Sequence, residues 1–535
     1  MKVLVSDKIS TEGLDVLKAE SDIQVDYRPD LKPEEIKKII GQYDGLVIRS
    51  GTKVTADIIE AADNLKAIAR AGVGVDNVDV AAASKRGIIV MNTPGGNTVS
   101  TAEHTMAMLL ALARNIAPAA HSLKSHKWDR KSYTGVQLMG KRIAVIGLGR
   151  VGKEVARRCK AFGMEVTGYD PYFGEAVGRE LEVQIAAKVD DAVRGADFVT
   201  VHTPLNDETA GLINAERIAL MADHGRVINC ARGGIVDEAA LAAALKSGKL
   251  AGAALDVYTS EPPADFSLID IDRVLCTPHL GASTEEAQVV VAVDAARQLV
   301  DCLKGREIRF AVNMPISDWM VAREMAPYGE LGARLGRIAA AICAGRVREV
   351  QVIYGGRIAD KDVSAVTACV AVGVLGSVID ENVNLVNASI LARDSGIRIS
   401  ETKEGPRQNF NSTLSVRVVT DKSKRIVSGT LLEQNILRII EVDHIDVEAS
   451  PEGEILLVFD QDRPGLIAGI AKTLGDAGIN IARMAFGREK PGGRSALIMN
   501  LDAGPSADLL AEIRSAGQRE VYAVQMAMKK TLPIA

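Results

Sequence analysis

Four polar residues stand at or just past the ends of apolar runs: Arg232 after RVINC, Asp256 within AGAALDV, Glu261 in the turn YTSEPP, and His279 after RVLCTP. A permanent cation in the tight turn "NCARGGIV" has two readings. Its stem can lie along the surface while the head goes to water and the glycines make the turn. Alternatively, the cation is held for a ligand. A guanidinium fork matches a carboxylate bidentately and stabilises charge on a reacting oxygen. An imidazole that titrates near neutrality suits removal of a hydroxyl proton, and a neighbouring carboxylate fixes its orientation. Together these groups suit oxidation of an α-hydroxy acid, with Arg232 gripping the acid and His279 taking the proton.

The segment KRIAVIGLGRVGKEVARRCKAFGMEVTGYD supplies a reason to prefer the second reading. Gly147, Gly149 and Gly152 follow an apolar strand and open a helix, and a second strand ends at Asp170. The three glycines allow a tight turn, backbone approach to a pyrophosphate and close helix–sheet packing, and the helix N-terminus faces the phosphates. Asp170 accepts hydrogen bonds from ribose hydroxyls and repels a 2′-phosphate, and Pro171, Tyr172 and Phe173 follow it without an arginine, which favours NAD over NADP. A purely structural glycine turn is the competing reading.

The elements that must position these groups alternate. In the first hundred residues MKVLVSD, DGLVIRS, LKAIARAG and GIIVMNT are short apolar runs separated by helical segments such as KPEEIKKIIGQ, the rhythm of a parallel sheet. A long helix follows over 99–117, with Ser100 and Glu103 spaced for a capping box. KRIAVIG, MEVTGYD, ADFVTVH, RVINC, AGAALDV and RVLCTP form a second parallel series. Ligands of such sheets sit beyond the carboxyl ends of the strands, so Arg232, Asp256, Glu261 and His279 converge on the cofactor crevice. Past about residue 318 the pattern becomes mixed, with a polar loop at 400–413, and the tail reads β-α-β-β-α-β, the ferredoxin-like order.

At 535 residues the chain is expected to hold three or four domains. A net charge of −5 argues against general nucleic-acid or anionic-membrane binding. The stretch 365–379 is short of a membrane span and reads as a buried helix. Six scattered cysteines without a C-x-x-C pair suit neither a disulfide framework nor a zinc site, so no metal is expected, and the start MKVLVSDKIS has no signal-peptide core; both fit the cytoplasm. His104, His121, His126, His202, His224 and His444 have no chemical setting, with His202 read as packed and Cys230 as a small buried residue.

The segments GLGRVG, VHTPL, NCARGGIVDE, ALDVYTSEPP and TPHLGAST resemble the D-isomer-specific 2-hydroxyacid dehydrogenases over about the first 315 residues. The resemblance implies a Rossmann-like NAD domain (99–290) inserted in a flavodoxin-like substrate domain (1–98 and 291–318), with dimerisation through the NAD domain. It implies His279 as proton acceptor, Glu261 as its partner and Arg232 as the substrate-orienting residue. It further implies cofactor contacts at Arg150, Val151, Asp170, Thr203, Pro204, Cys230, Ala231, Asp256, Gly281 and Ala282. Arg49 and Arg70 match phosphate-contacting positions, Gly74, Val75 and Asn97 positions near the carboxylate, and Ser50 is a further expected substrate-binding residue. Each arginine alone also fits a solvated surface role.

The long form of this family adds an α+β intervening domain, here 319–452, and a terminal ACT domain, here 453–535. "FDQDRPGLIAGIAKTLGDAGINIARM" resembles the ACT signature, and Asp462 and Asn480 match the positions that bind an amino acid across two paired ACT domains; the implied effector is L-serine. Some relatives carry an aromatic residue where Asp460 stands. The implied activity is oxidation of 3-phospho-D-glycerate to 3-phosphohydroxypyruvate by a homodimer or homotetramer. The same chemistry on another 2-hydroxy acid, such as glycerate or 2-hydroxyglutarate, and a non-catalytic NAD-sensing corepressor remain open at this stage.

Overall fold

The structure, a computed structural model, describes residues 1–315, 319–379, 382–406, 409–517 and 519–526. The expected boundary at 318, part of the polar loop at 407–408 and the end of the last expected strand beyond 526 lie outside the described residues.

The first sheet is wholly parallel. Its strands Lys2–Val5, Gln24–Tyr27, Gly45–Ile48, Ala67–Arg70 and Ile89–Met91 stand in the order second, first, third, fourth, fifth. This is the flavodoxin-like order, and its crevice opens where the order reverses, between the first and third strands. Asp7 and Arg49 follow those two strands: the Arg49 backbone N–H donates to Asp7 Oδ2 at 2.5 Å, and the Thr52 N–H at 3.1 Å. The second strand was not read from the sequence. It is short, polar and partly exposed at a sheet edge, so it lacks the apolar run that burial on both faces imposes.

The helix Thr98–Ala113 leads out of this unit, and the helix Glu285–Leu303 returns to pack Val291, Ala295 and Leu299 into its core. The expected capping box does not form. Asn97 is the N-cap, and Ser100, already inside the helix, lies with its hydroxyl 2.8 Å from Thr284 Oγ1. The expected single helix also breaks at Asn115, which is left-handed at φ 53°, and Ile116–Lys124 is a second helix.

Between these helices lies a seven-stranded parallel sheet. In spatial order its strands are Gln184–Ile185, Glu165–Tyr169, Arg142–Ile146, Phe198–Val201, Gly225–Asn229, Leu250–Leu255 and Val274–Cys276. In chain order that is 3-2-1-4-5-6-7, a doubly wound Rossmann arrangement with its crevice beyond Arg142–Ile146 and Phe198–Val201.

The third sheet has six strands. Val347–Gly356 pairs parallel with Arg398–Glu404 and antiparallel with Ser412–Thr420, and Lys424–Leu432, Ile436–Val442 and Ile445–Ala449 continue antiparallel. The expected loop at 400–413 is thus corrected: Arg398–Glu404 is an edge strand whose mostly exposed side chains explain its polar composition. The apolar stretch at 365–379 contributes the buried helix Ser364–Leu375, packed on Trp319–Ala341. No helix among the described residues is long and apolar enough to cross a membrane.

The last unit is antiparallel, ordered Ile481–Arg488, Arg494–Leu501, Glu454–Gln461, Glu520–Gln525, with helices Leu466–Asp476 and Ala507–Ser515. Side chains alternate along Glu454–Gln461. Leu456 and Val458 face its helices, while Leu457 and Phe459 join the core of the third unit.

Candidate active site

The glycine turn is built by close approach. Gly147 has φ 93°, and a Cβ there would lie 2.6 Å from the His202 carbonyl oxygen. A Cβ at Gly152 would lie 1.9 Å from the Gly147 carbonyl oxygen. At Gly149, by contrast, a Cβ would meet nothing within 4 Å: the space above the N-terminus of helix Arg150–Ala161 is open. Asp170 accepts backbone N–H bonds from Leu148 at 2.8 Å, Tyr172 at 2.9 Å and Phe173 at 3.2 Å, which ties the next strand's end to the turn. Thr203 Oγ1 is buried without a hydrogen-bond partner among the described residues. Open space over helix amides, an orphaned hydroxyl and a carboxylate at the second strand's end fit a dinucleotide.

Beyond this cradle lies a cleft of about 550 Å³ lined from both parallel sheets. It brings together Arg232, His279, Arg150, Val151, Thr203, Pro204, Cys230, Ala231, Gly281 and Ala282 from the second unit with Gly74, Val75 and Asn97 from the first. Arg232 is held by its backbone, since Asn229 Nδ2 donates to its carbonyl at 2.8 Å. Gly233 is required there because a Cβ would lie 1.9 Å from the Tyr258 carbonyl oxygen. The guanidinium donates to its neighbour Ala231 O at 2.7 Å and to Asp76 Oδ2 at 3.2 Å, leaving Nη2 toward Gly74.

His279 Nδ1 and Glu261 Oε2 are 2.6 Å apart, and Glu261 Oε1 accepts from the Tyr258 N–H at 3.2 Å. With Nδ1 donating to the carboxylate, Nε2 is the free acceptor of the ring. His279 is left-handed at φ 56°, a conformation that persists in a non-glycine residue only where the surroundings hold it. Asp256 is not on the cleft wall. It is fully buried and accepts from Thr277 Oγ1 and the N–H groups of Leu280 and Gly281.

Arg70 is mostly buried, and its Nε has no partner in the described structure. Burial first, then the charges of Arg232 and Arg49, push its guanidinium down to about 10 against a partial offset from Asp76 and Asp7. Arg232 and Arg49 thus add their positive charge to that of a mostly buried guanidinium whose Nε is unpaired among the described residues. Arg70, Arg49 and Ser50 are not among the residues lining the cleft, and Ser50 is exposed, whereas Asn97, which does line it, carries like Thr203 a buried polar atom without a partner among the described residues.

Among the residues that support the site without a signal in the sequence are Asp76, on the cleft wall, and His104, behind it. Asp76 meets Arg232 across the domains, and His104 Nε2 lies 3.2 Å from Asp256 Oδ1. His202, expected to be packed, is half-buried and lines the cleft, its imidazole pushed down to about 4 by burial, and burial raises the Cys230 thiol to about 12. Among the described residues no group of three or more His, Cys, Asp or Glu could hold a metal.

In the tail, Asp462 accepts from Arg488 Nη1 at 2.6 Å and the Gly492 N–H at 3.2 Å, and the Arg488 cation holds its carboxyl below the usual range. Asn480 Nδ2 donates to Asp502 at 2.8 Å. The two residues lie at opposite ends of strand Ile481–Arg488, roughly 25 Å apart at the usual strand rise. One chain does not bring them to one point. Asp460 accepts from Arg519 Nε at 2.9 Å.

Residues 106–281 match the family described as the D-isomer specific 2-hydroxyacid dehydrogenase NAD binding domain. Residues 324–443 match the D-3-phosphoglycerate dehydrogenase intervening domain, and 455–518 the ACT domain. The chain is 41% identical to D-3-phosphoglycerate dehydrogenase of Methanocaldococcus jannaschii over 96% of its own length and 97% of that protein's. It is 40% identical to the Bacillus subtilis enzyme of the same name, covering 94% and 95%. A solved D-lactate dehydrogenase from Aquifex aeolicus, complexed with NAD and lactic acid, superposes with a TM-score of 0.51 at 27% identity over 57% of this chain and 96% of that one. With relatives aligned end to end and three successive family matches, the chain belongs to the D-isomer-specific 2-hydroxyacid dehydrogenases and, within them, to the D-3-phosphoglycerate dehydrogenases.

Proposed function

We propose that the cleft oxidises 3-phospho-D-glycerate to 3-phosphohydroxypyruvate with NAD, the entry to serine synthesis. The observation that carries this reading is the convergence of Arg232 and the Glu261–His279 pair on one cleft beside the glycine turn. When bound, NAD supplies the hydride acceptor. Arg232 holds the substrate carboxylate and steadies charge on the oxygen as it becomes a carbonyl. His279 Nε2 takes the hydroxyl proton, and Glu261 orients the ring and stabilises the imidazolium that forms. Arg70 and Arg49 hold the phosphate, supported by the unpaired Arg70 Nε. Gly149, Arg150 and Val151 receive the pyrophosphate, Asp170 the ribose, and Thr203 the orphaned polar contact. The named activity of the relatives and the Aquifex aeolicus neighbour's bound NAD support this assignment.

The domain division follows the same reading, with 1–98 and 291–318 binding substrate, 99–290 NAD, and the remaining two units regulating. The ACT unit takes a small-molecule effector, L-serine. Because Asp462 meets the Arg488 end of strand Ile481–Arg488 and Asn480 precedes its other end, a ligand touching both needs a second copy set antiparallel across a two-fold axis, which supports a homodimer or homotetramer. The scattered spacing of the six cysteines supports a reducing cytoplasm. One assay tests the whole: NADH formation with 3-phospho-D-glycerate, D-glycerate and 2-hydroxyglutarate, each with and without L-serine. The phosphorylated substrate is expected to have the highest kcat/KM and L-serine to lower its rate. Equal kcat/KM with D-glycerate would refute the phosphate reading, and a serine-independent rate and melting temperature would refute the effector.

A further inference from the structure

The helix Thr98–Ala113 runs beneath the loop that bears His279, and one stripe of its residues touches that loop along its length. Ser100 Oγ lies 2.8 Å from Thr284 Oγ1, and a Cβ at Gly281 would meet Thr101 Cγ2 at 3.4 Å. His104 Nε2 lies 3.2 Å from both Thr277 Oγ1 and Asp256 Oδ1, and Met108 Sδ lies 3.8 Å from Thr277 Oγ1. Residues 100, 104 and 108 recur every four positions and so share one helix face.

Asp256 is the hub beneath the loop. It receives Thr277 Oγ1–H at 2.5 Å, the Leu280 N–H at 2.7 Å and the Gly281 N–H at 2.8 Å, so its contacts bracket His279 on both sides. Burial opposes its charge, but the hydrogen bonds from His104, Thr277 and Leu280 outweigh it and keep the carboxyl below its usual range. Since Thr277 donates its proton to Asp256, the hydrogen between His104 and these two acceptors belongs to His104 Nε2. The left-handed backbone at His279 needs such support from its surroundings.

We infer that His104 is a positioning residue for the reaction: through Asp256 and Thr277 it clamps the turn that aims the His279 imidazole into the cleft. The clamp comes from a helix whose N-cap, Asn97, lines the same cleft. One rigid element therefore reaches both the substrate side and the proton acceptor.

This inference rests on the hydride-transfer reading above. The unmodified chain checks that reading, since failure to form NADH would sink it whatever the variants do. His104→Leu removes the N–H at similar bulk, and His104→Gln returns a donor near the Nε2 position. The leucine variant is expected to lose about 10- to 100-fold in kcat, the scale of a small misplacement of a reacting group. Its substrate KM and its NADH Kd by fluorescence titration should stay within about threefold of wild type, well inside that scale. The glutamine variant should recover most of the rate. Thr277→Val removes one of the two acceptors of the His104 N–H, and a donor to Asp256, without changing the helix; it should lower kcat in the same direction with KM and NADH Kd unchanged, and it keeps the test open if the leucine variant does not fold. Wild-type turnover in His104→Leu, equal losses in the leucine and glutamine variants, or weakening of NADH binding in step with kcat would each overturn the inference.

Discussion

Nδ1 of His279 lies 2.6 Å from Oε2 of Glu261, and this contact decides which nitrogen of the ring is available to chemistry. The carboxylate accepts the Nδ1 proton and leaves Nε2 to take another. Glu261→Gln keeps the shape but presents either an amide oxygen or an N–H to the ring and removes the charge that stabilises the imidazolium. Its kcat is expected to fall by at least about tenfold, toward the range lost with a general base itself. Steady-state kinetics check this, and an unchanged kcat would show that the pair is structural.

Arg70 is the test of substrate choice. Its Nε is buried and unpaired among the described residues, and the charges of Arg232 and Arg49 bear on it, which motivates the proposed phosphate role. Arg70→Met should lower kcat/KM for 3-phospho-D-glycerate by roughly 10²-fold, the scale of about 3 kcal/mol for a lost charge-assisted contact. D-glycerate oxidation should be unchanged or slightly better. Parallel losses on both substrates would remove the phosphate role.

Asp170 tests the cofactor preference. Asp170→Asn retains an oxygen for the Tyr172 and Phe173 amides while removing the charge. The NADP-to-NAD ratio of kcat/KM is expected to rise about tenfold, the equivalent of ~1.4 kcal/mol of relieved repulsion. A constant ratio would mean that Asp170 only ties the turn.

His202 predicts a pH dependence of stability. Burial pushes its imidazole from 6.5 down to about 4, so between those values the unfolded chain binds a proton that the folded one does not. Stability from this group is therefore complete above pH 6.5 and is lost as pH falls toward 4. That interval corresponds to about 3 kcal/mol. Urea unfolding of wild type and His202→Gln at a series of pH values should show the wild type losing the larger amount; parallel profiles would contradict the burial.

The parallel sheets were legible because strands buried on both faces leave uninterrupted apolar runs, and the polar groups that end those runs must lie along one crevice. Arg232 and His279 were found that way. What the sequence hid was either exposed or distant. Gln24–Tyr27 and Arg398–Glu404 are edge strands that carry polar side chains and so look like loops. The contact of His104 with Thr277 joins residues 173 apart, and that of Arg232 with Asp76 residues 156 apart. No local periodicity records either. Ser100 illustrates the reverse error: its spacing to Glu103 suggests a cap, but the helix already starts at Thr98 and the hydroxyl serves the other interdomain connection.

The most direct measurement is NADH formation from NAD and 3-phospho-D-glycerate by the wild type and His279→Ala, with NADH affinity measured on both. The wild type should turn over, and the variant should lose roughly 10²- to 10⁴-fold in kcat while binding NADH as before. Near-normal turnover in His279→Ala would contradict the account at its centre.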